Sequence, residues 1–179
     1  GHYPAGWALA GNTPFRYWKQ TTHEGGVHDP LIISWPAYIK DGGSIRTQFS
    51  HAIDILPTVL EITKTKAPDS LNGVTQMPIE GVSMAASIID AKAATQKKVQ
   101  YFEMLGNRGI WSEGWKAVAF HRQWPWEITP AAEKRSFDSD RWELYNVAED
   151  PTETTDLSQK YPAKLVELQK LFDLIISFL

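Results

Sequence analysis

The sequence contains no cysteine, which excludes disulfides, thiolate metal sites and a cysteine nucleophile from these residues. The redox compartment, and with it the localisation, is therefore not legible. No apolar run approaches the roughly 20 residues needed to cross a bilayer. Neither sign of charge dominates. A formal net charge of -3 argues against nucleic acid or an anionic membrane as the main partner. A Ser/His/Asp order, a P-loop and an H-E-x-x-H pattern are all missing. The opening Gly1-His2-Tyr3-Pro4 has neither the charged n-region nor the apolar h-region of a signal peptide, and it reads as the interior of a longer protein.

What is present is the balance of a globular chain: 42% hydrophobic and 22% charged residues over 179 positions, enough for one domain or a domain with a subdomain. Eight Trp, seven Phe and six Tyr need a core or a sugar- or aryl-binding surface to cover them.

Residues 1–29, punctuated by Gly and Pro, read as a long loop. Leu31-Ile32-Ile33-Ser34-Trp35, bounded by Pro30 and Pro36, suits a buried strand of a parallel sheet. Its neighbours are not supplied nearby, and an unpaired edge there is a route to self-association, so a homo-oligomer is one expected partner state. Residues 52–63 carry a helical stripe of Ile53, Leu56, Leu60 and Thr63, with Pro57 tolerable only in the first turn. Residues 64–82 read as loop, and Ser83–Ile89 as a short helix with Ser83 as N-cap.

From Lys98 the period changes to two. Val99–Met104, Gly109–Trp111, Trp115–His121 and Trp142–Val147 read as strands, with turn signals at Gly106-Asn107 and Glu113-Gly114. Residues 122–141 form an excursion containing Trp124-Pro125-Trp126, which reads equally as a substrate mouth or a packed loop. Pro162 opens a last helix whose Leu165, Leu168, Leu171, Phe172 and Ile175 share one face. A boundary near Ala94 therefore separates part of an α/β unit, residues 1–94, from a small antiparallel sheet with a packed helix, residues 95–179.

Polar chemistry concentrates between Arg16 and Pro30. Lys19 lies among aromatic residues, just before Thr21-Thr22 and the Gly25-Gly26 pair. An ammonium in a partly desolvated cleft suits a sulfate or phosphate oxygen. The glycines allow either a tight backbone turn or N–H groups approaching an anion. The alternative is a solvated lysine on a turn. His23 and His28, beside Glu24 and Asp29, have no familiar metal-ligand spacing and read rather as hydrogen-bonded structural or site-edge groups. His2, His51 and His121 stand alone and suggest no role.

These residues resemble a known family. Asn12-Thr13-Pro14-Phe15-Arg16, Lys19, Thr22-His23-Glu24-Gly25-Gly26-Val27 and Pro30-Leu31-Ile32 resemble the sulfatase stretch N-T-P-F-R, K, T-H-E-G-G, P-L-I. Asp54-Ile55-Leu56-Pro57-Thr58 is similar to the family's D-[IL]-x-P-T helix, and Pro78-Ile79-Glu80-Gly81-Val82-Ser83 to its later turn. Tyr101–Arg108, Gly114–Val118, Trp142–Asn146 and Asp150-Pro151-Thr152-Glu153 resemble the C-terminal subdomain of bacterial arylsulfatases. The matches run in family order over nearly the whole chain.

The resemblance implies an alkaline-phosphatase-like α/β fold of which this is the C-terminal part: a remnant of the α/β domain plus a small four-stranded antiparallel sheet with a terminal helix. It implies a sulfuric ester hydrolase, acting on an aryl sulfate or sulfated glycan, with a formylglycine nucleophile and a Ca2+ ion. The motifs for both of these belong upstream of Gly1. It places Lys19 as the catalytic, sulfate-binding lysine, with no metal ligand in this chain. His23, beside Lys19, is expected as a substrate-binding group at the edge of the site, with no role carried over from the family. His28 stands where the family commonly has Arg. Alone, the chain is expected to be inactive. Two further readings stand beside this one: a non-catalytic module that binds sulfated ligands, and a phosphonate or phosphodiester hydrolase of the same superfamily.

Overall fold

The computed structural model describes residues 3–121 and 135–178. The Trp124-Pro125-Trp126 segment lies outside the described residues. The chain divides into two compact units, one formed by residues 1–30 with 99–179 and the other by residues 31–98. The boundary near Ala94 follows the order of the chain, whereas the spatial division joins the first 30 residues to the sheet.

The larger unit is built on a four-stranded antiparallel sheet, β3 (Val99–Met104), β4 (Asn107–Ser112), β5 (Trp115–Ala119) and β6 (Trp142–Asn146), in sequential order. All four strands fall where alternation places them. Both hairpins close through two left-handed residues, Leu105-Gly106 (φ 55° and 84°) and Glu113-Gly114 (φ 47° and 87°). This is the geometry that matches strand twist. The first turn is therefore one residue earlier than Gly106-Asn107, because Asn107 pairs with Met104 and belongs to β4.

Period two sends alternate residues to opposite faces. Tyr101, Ile110, Ala117 and Leu144 form one row across all four strands. The terminal helix α5 (Pro162–Ile176), opened by Pro162 in its first turn, packs against this row. Ile110, Ala117, Leu144, Leu168 and Phe172 make its buried core, flanked by Leu165, Leu171 and Ile175. The helical stripe read from the sequence is the face that packs.

The next row, Gln100, Trp111, Lys116 and Tyr145, and the one beyond it, Phe102, Gly109, Val118 and Glu143, belong to the other face. Residues 12–28 lie on it. Thr22 donates its hydroxyl to the Arg108 carbonyl at 2.8 Å, and a Cβ at Gly109 would come within 2.9 Å of the Thr22 Cβ. Ahead of this segment runs α1 (Ala5–Asn12), where a loop was expected. Ala5, Ala8 and Ala10 favour a helix without help from packing. The helix stops at Thr13, whose backbone the following Pro14 biases toward extended values (ψ 134°). The Thr13–Pro14 bond is cis.

In the smaller unit a 3-10 turn, Ala52–Asp54, leads into α3 (Ile55–Thr63). Pro57 is its third residue, where its missing N–H breaks no helical bond. The Asp54 carboxylate, buried, accepts from the backbone N–H of His51 and of Val82, both at 2.8 Å, and from Lys97 Nζ at 2.7 Å. Thr58 donates to the Asp54 carbonyl and accepts from the Met84 N–H at 2.9 Å. A Cβ at Gly81 would sit 2.1 Å from the Ile53 carbonyl oxygen. The two family-like blocks at Asp54–Thr58 and Gly81–Ser83 are thus one interlocked structure.

The short helix α4 spans Ala85–Ile89, with Ser83 Oγ accepting from the Ala85 N–H at 3.2 Å. Within residues 64–82 there is a small hairpin, β1 (Ser70–Leu71) and β2 (Val74–Thr75), around Asn72-Gly73 at φ 51° and 80°. Asn-Gly between apolar residues is the strongest short hairpin signal, and it corrects the loop reading. The run at 31–35 also differs from expectation. No strand is assigned there among the described residues, and Leu31, Ile32 and Ile33 are exposed. A parallel strand is buried only when its neighbours cover both faces. No such neighbour lies within the described residues.

Candidate functional site

Lys19 stands exposed in the turn that follows α1 and precedes the short helix α2 (Glu24–Val27). Among the described residues it makes no hydrogen bond or ion pair. Tyr17 and Gln20, on either side, hold left-handed backbones at φ 62° and 79°. Residues with side chains rarely adopt these values unless their surroundings over-determine them.

The surroundings do so here. The Gly25 N–H donates to the Arg16 carbonyl at 2.9 Å. Asn12 Nδ2 donates to the carbonyls of Tyr17, at 3.0 Å, and Gly25. Asn107 Nδ2 donates to the Gln20 carbonyl at 2.8 Å. Both threonine hydroxyls are committed to backbone, Thr21 to Trp18 at 2.9 Å and Thr22 to Arg108. The glycine pair serves close backbone approach. A Cβ at Gly25 would lie 2.4 Å from the carbonyl oxygens of Arg16 and Tyr17, and one at Gly26 would lie 2.1 Å from that of Thr21.

Beneath this turn are two linked sets of charges. In the first, Lys116 Nζ reaches Glu24 Oε1 at 2.6 Å and Glu153 Oε1 at 3.2 Å, and Glu153 Oε2 accepts from the Glu24 backbone N–H at 2.8 Å. Lys116 and Glu153 are fully buried. His28 Nδ1 lies 2.7 Å from the other Glu24 oxygen, and its ring stacks on Phe15 with centroids 4.4 Å apart. Burial pushes the Glu24 carboxyl up, but hydrogen bonds and charge from His28 and Lys116 outweigh it and hold it below the usual range.

In the second set, Tyr145 donates its hydroxyl to Glu143 Oε2 at 2.7 Å and accepts from the Arg16 guanidinium. His23 Nε2 lies 3.0 Å from the same Glu143 oxygen. Burial, then the Glu143 carboxylate, raises the Tyr145 phenol well above its ordinary value. For Glu143, burial raises the carboxyl, while His23, Tyr145 and Arg16 together lower it below the usual range.

His23, 2% exposed, is thus buried under the turn among Tyr17, Phe120 and Tyr145. Its Nδ1 has no hydrogen-bond partner among the described residues. A cleft of about 600 Å³ opens beside the second set, lined by Arg16, Arg141, Glu143, Tyr145, Thr152 and Asp156. Neither Lys19 nor His23 lines it. Among the described residues no three His, Asp or Glu side chains converge as a metal site would require.

Sequence reasoning passed over Lys116, Glu143, Tyr145 and Glu153. Lys116, in a strand of alternating character, reads as a surface residue, and its partners lie 92 and 37 positions away. The signal that could have found these residues was the set of family-like blocks that hold them, Gly114–Val118, Trp142–Asn146 and Asp150–Glu153. Two of the histidines read as isolated have partners, and the third, His2, lies outside the described residues. His121 Nδ1 lies 2.9 Å from the buried Asp140 carboxylate, which Arg108 also holds at 2.8 Å. His51 takes part in the cap that opens α3.

Residues 15–174 match the family model described as N-sulphoglucosamine sulphohydrolase, C-terminal, and the chain belongs to this sulfatase C-terminal family. It is 25% identical over 169 residues to arylsulfatase K of Xenopus laevis, covering 91% of this chain and 28% of that protein. It is 28% identical over 163 residues to the N-acetylglucosamine-6-O-sulfatase of Bacteroides thetaiotaomicron, covering 87% and 26%. A solved structure from work on the metabolism of multiple glycosaminoglycans by Bacteroides thetaiotaomicron superposes with a TM-score of 0.66 at 21% identity, over 93% of this chain and 33% of that one. The chain therefore spans less than a third of the curated relatives' length, and the structural likeness is one of fold.

Proposed function

We propose that these residues form the C-terminal portion of a sulfuric ester hydrolase, in which Lys19 binds the sulfate oxygens and stabilises charge on the leaving oxygen. The carrying observation is that Lys19 is an exposed cation, without a hydrogen-bond or ion-pair partner among the described residues, on a backbone turn fixed from below by buried hydrogen bonds and ion pairs. A catalytic group held rigidly before substrate arrives loses little to reorganisation. His23 enters as the edge of the same site, packed beneath the turn, with Nδ1 as the ring nitrogen that has no partner among the described residues.

The nucleophile, formylglycine in the resembling family, and the Ca2+ ligands belong in this reading to the part of the enzyme outside these 179 residues. The substrate class is an aryl sulfate or sulfated glycan. The name of the Bacteroides relative, an N-acetylglucosamine-6-O-sulfatase, supports the glycan.

The test has two arms. This chain alone, with calcium, is expected to leave a chromogenic aryl sulfate unhydrolysed. Turnover that Lys19→Ala abolishes would show a complete site and overturn the division of labour. In a polypeptide that also carries the nucleophile, Lys19→Ala is expected to lower kcat/KM by about 10²–10³-fold, the scale for one oxyanion-stabilising group. An unchanged value would remove Lys19 from the site.

A further inference from the structure

We propose that His28 is a positioning residue for the Lys19 turn: its imidazolium supplies the second positive charge that the buried Lys116–Glu24–Glu153 cluster requires, which makes the seating of the turn depend on pH. The effect on sulfate chemistry rests on the reading of Lys19 given above. The charge balance itself does not.

The cluster has two carboxylates and one ammonium. Glu153 and Lys116 are fully buried, and Glu24 nearly so. Lys116 is shared between both acids, at 2.6 Å and 3.2 Å. An uncompensated buried charge is expensive, whereas a neutral, hydrogen-bonded set is tolerated. With His28 neutral the set carries one net negative charge. With His28 protonated it carries none, and Nδ1–H donates to Glu24 Oε2 at 2.7 Å.

The other charged groups acting on His28 are Asp29, which favours the imidazolium, and Lys116, which opposes it. Arg16 is committed to Glu143, to Tyr145 and to the Glu153 carbonyl. The His28 side chain is about half exposed, so solvent protons reach it without opening the cluster. Its hydrogen bond to Glu24 is the largest influence and raises its pKa above the ordinary 6.5, against partial burial.

The mechanical link to Lys19 is short. Glu24 is the first residue of α2, and the next residue, Gly25, donates its N–H to the Arg16 carbonyl at the base of the turn. Asn12 ties the Gly25 and Tyr17 carbonyls together. Movement of Glu24 is therefore felt at Tyr17, which holds a left-handed backbone two residues before Lys19. A pKa raised on folding stabilises below the unfolded value, and that stabilisation disappears as pH rises through the folded value. The turn is thus held best at mildly acidic pH and loosens on the alkaline side.

The first measurement is an NMR titration of the His28 ring in the 179-residue chain. A midpoint above 6.5 that falls in Glu24→Gln is expected. A midpoint at or below 6.5 overturns the proposal. The second is amide hydrogen exchange at Tyr17–Thr22 between pH 6 and 8.5, corrected for intrinsic base catalysis. Protection should fall severalfold in the unmodified chain, stay flat and high in His28→Arg, and stay flat and low in His28→Gln. A pH response unchanged in His28→Arg would assign it to another group and overturn the proposal. Neither measurement uses sulfate, so failure of Lys19→Ala to affect hydrolysis would leave both results standing, and the reverse also holds.

Discussion

Lys116 Nζ lies 2.6 Å from Glu24 Oε1, joining the second residue of strand β5 to the first residue of helix α2, 92 positions earlier in the chain. This ion pair, with Glu153, fixes the floor under Lys19. Lys116→Met removes the ammonium and leaves two carboxylates buried together. A loss of about 3–5 kcal/mol is expected in urea unfolding, the scale for breaking a buried pair from one side. Adding Glu153→Gln and Glu24→Gln to that variant should recover part of the loss, because an apolar or neutral set no longer holds stranded charge. Equal instability of the single and triple variants would argue that packing dominates.

The glycine pair gives a steric prediction. Gly26→Ala places a methyl group 2.1 Å from the Thr21 carbonyl oxygen, and Gly25→Ala one 2.4 Å from two carbonyl oxygens. Each should destabilise by about 1–3 kcal/mol, the range for forced overpacking. Gly42, where a Cβ meets nothing within 4 Å, is the control: Gly42→Ala should stay within about 0.5 kcal/mol of the parent. Thermal unfolding of the three variants is sufficient.

The acid side of the stability profile should be set in part by Glu143. Burial raises its carboxyl, but His23, Tyr145 and Arg16 bring it below the ordinary 4.5. A depressed folded pKa contributes stability above the unfolded value and loses it as pH falls through the folded one. Glu143→Gln should therefore lower stability at neutral pH and flatten the decline below pH 4.5. Circular dichroism melts from pH 3 to 7 read this directly. A parallel decline in the variant would place the acid sensitivity elsewhere.

The helix face of the sheet makes a simpler prediction. Phe172→Ala empties a fully buried site that touches Tyr101 and Trp142 and should cost about 3–5 kcal/mol. Val166→Ala, on the exposed side of α5, should change the melting temperature little.

The parts of the fold that the sequence states openly are those that local rules control. Four strands and the last helix follow from periods of two and 3.6, and Pro57 and Pro162 sit where a missing N–H does no harm. What stays hidden depends on distant partners. The apolar run at 31–35 has the composition of a buried strand, but burial needs neighbours that the described residues do not contain. Helix α1 is carried by alanine propensity in a stretch that its glycines disguise. At the site, the turn bearing Lys19 announces itself by its residue types and by its resemblance to sulfatases. The charges beneath it do not, because pairing Lys116 with Glu24 and Glu153 requires the register of β5 beside β6. The Asn72-Gly73 hairpin was open to reading from the sequence, and its signal is local.

The spatial division of the chain bears on the order in which the protein acquires its structure. The Glu24 N–H is capped by Glu153, 129 residues later, and residues 31–98, which form the other unit, intervene in the sequence between the two segments of the sheet unit. Contacts between such distant positions form slowly, since the loop they close must be ordered before they stabilise anything. On the ribosome, the segment carrying Lys19 emerges before the Asp150–Glu153 loop and cannot be seated until that loop has been made. The smaller unit, whose Asp54, Val82 and Lys97 are close in sequence, can fold during that interval. The turn that presents the lysine is therefore among the last parts of the chain to be set, and premature truncation anywhere before Glu153 leaves it unsupported.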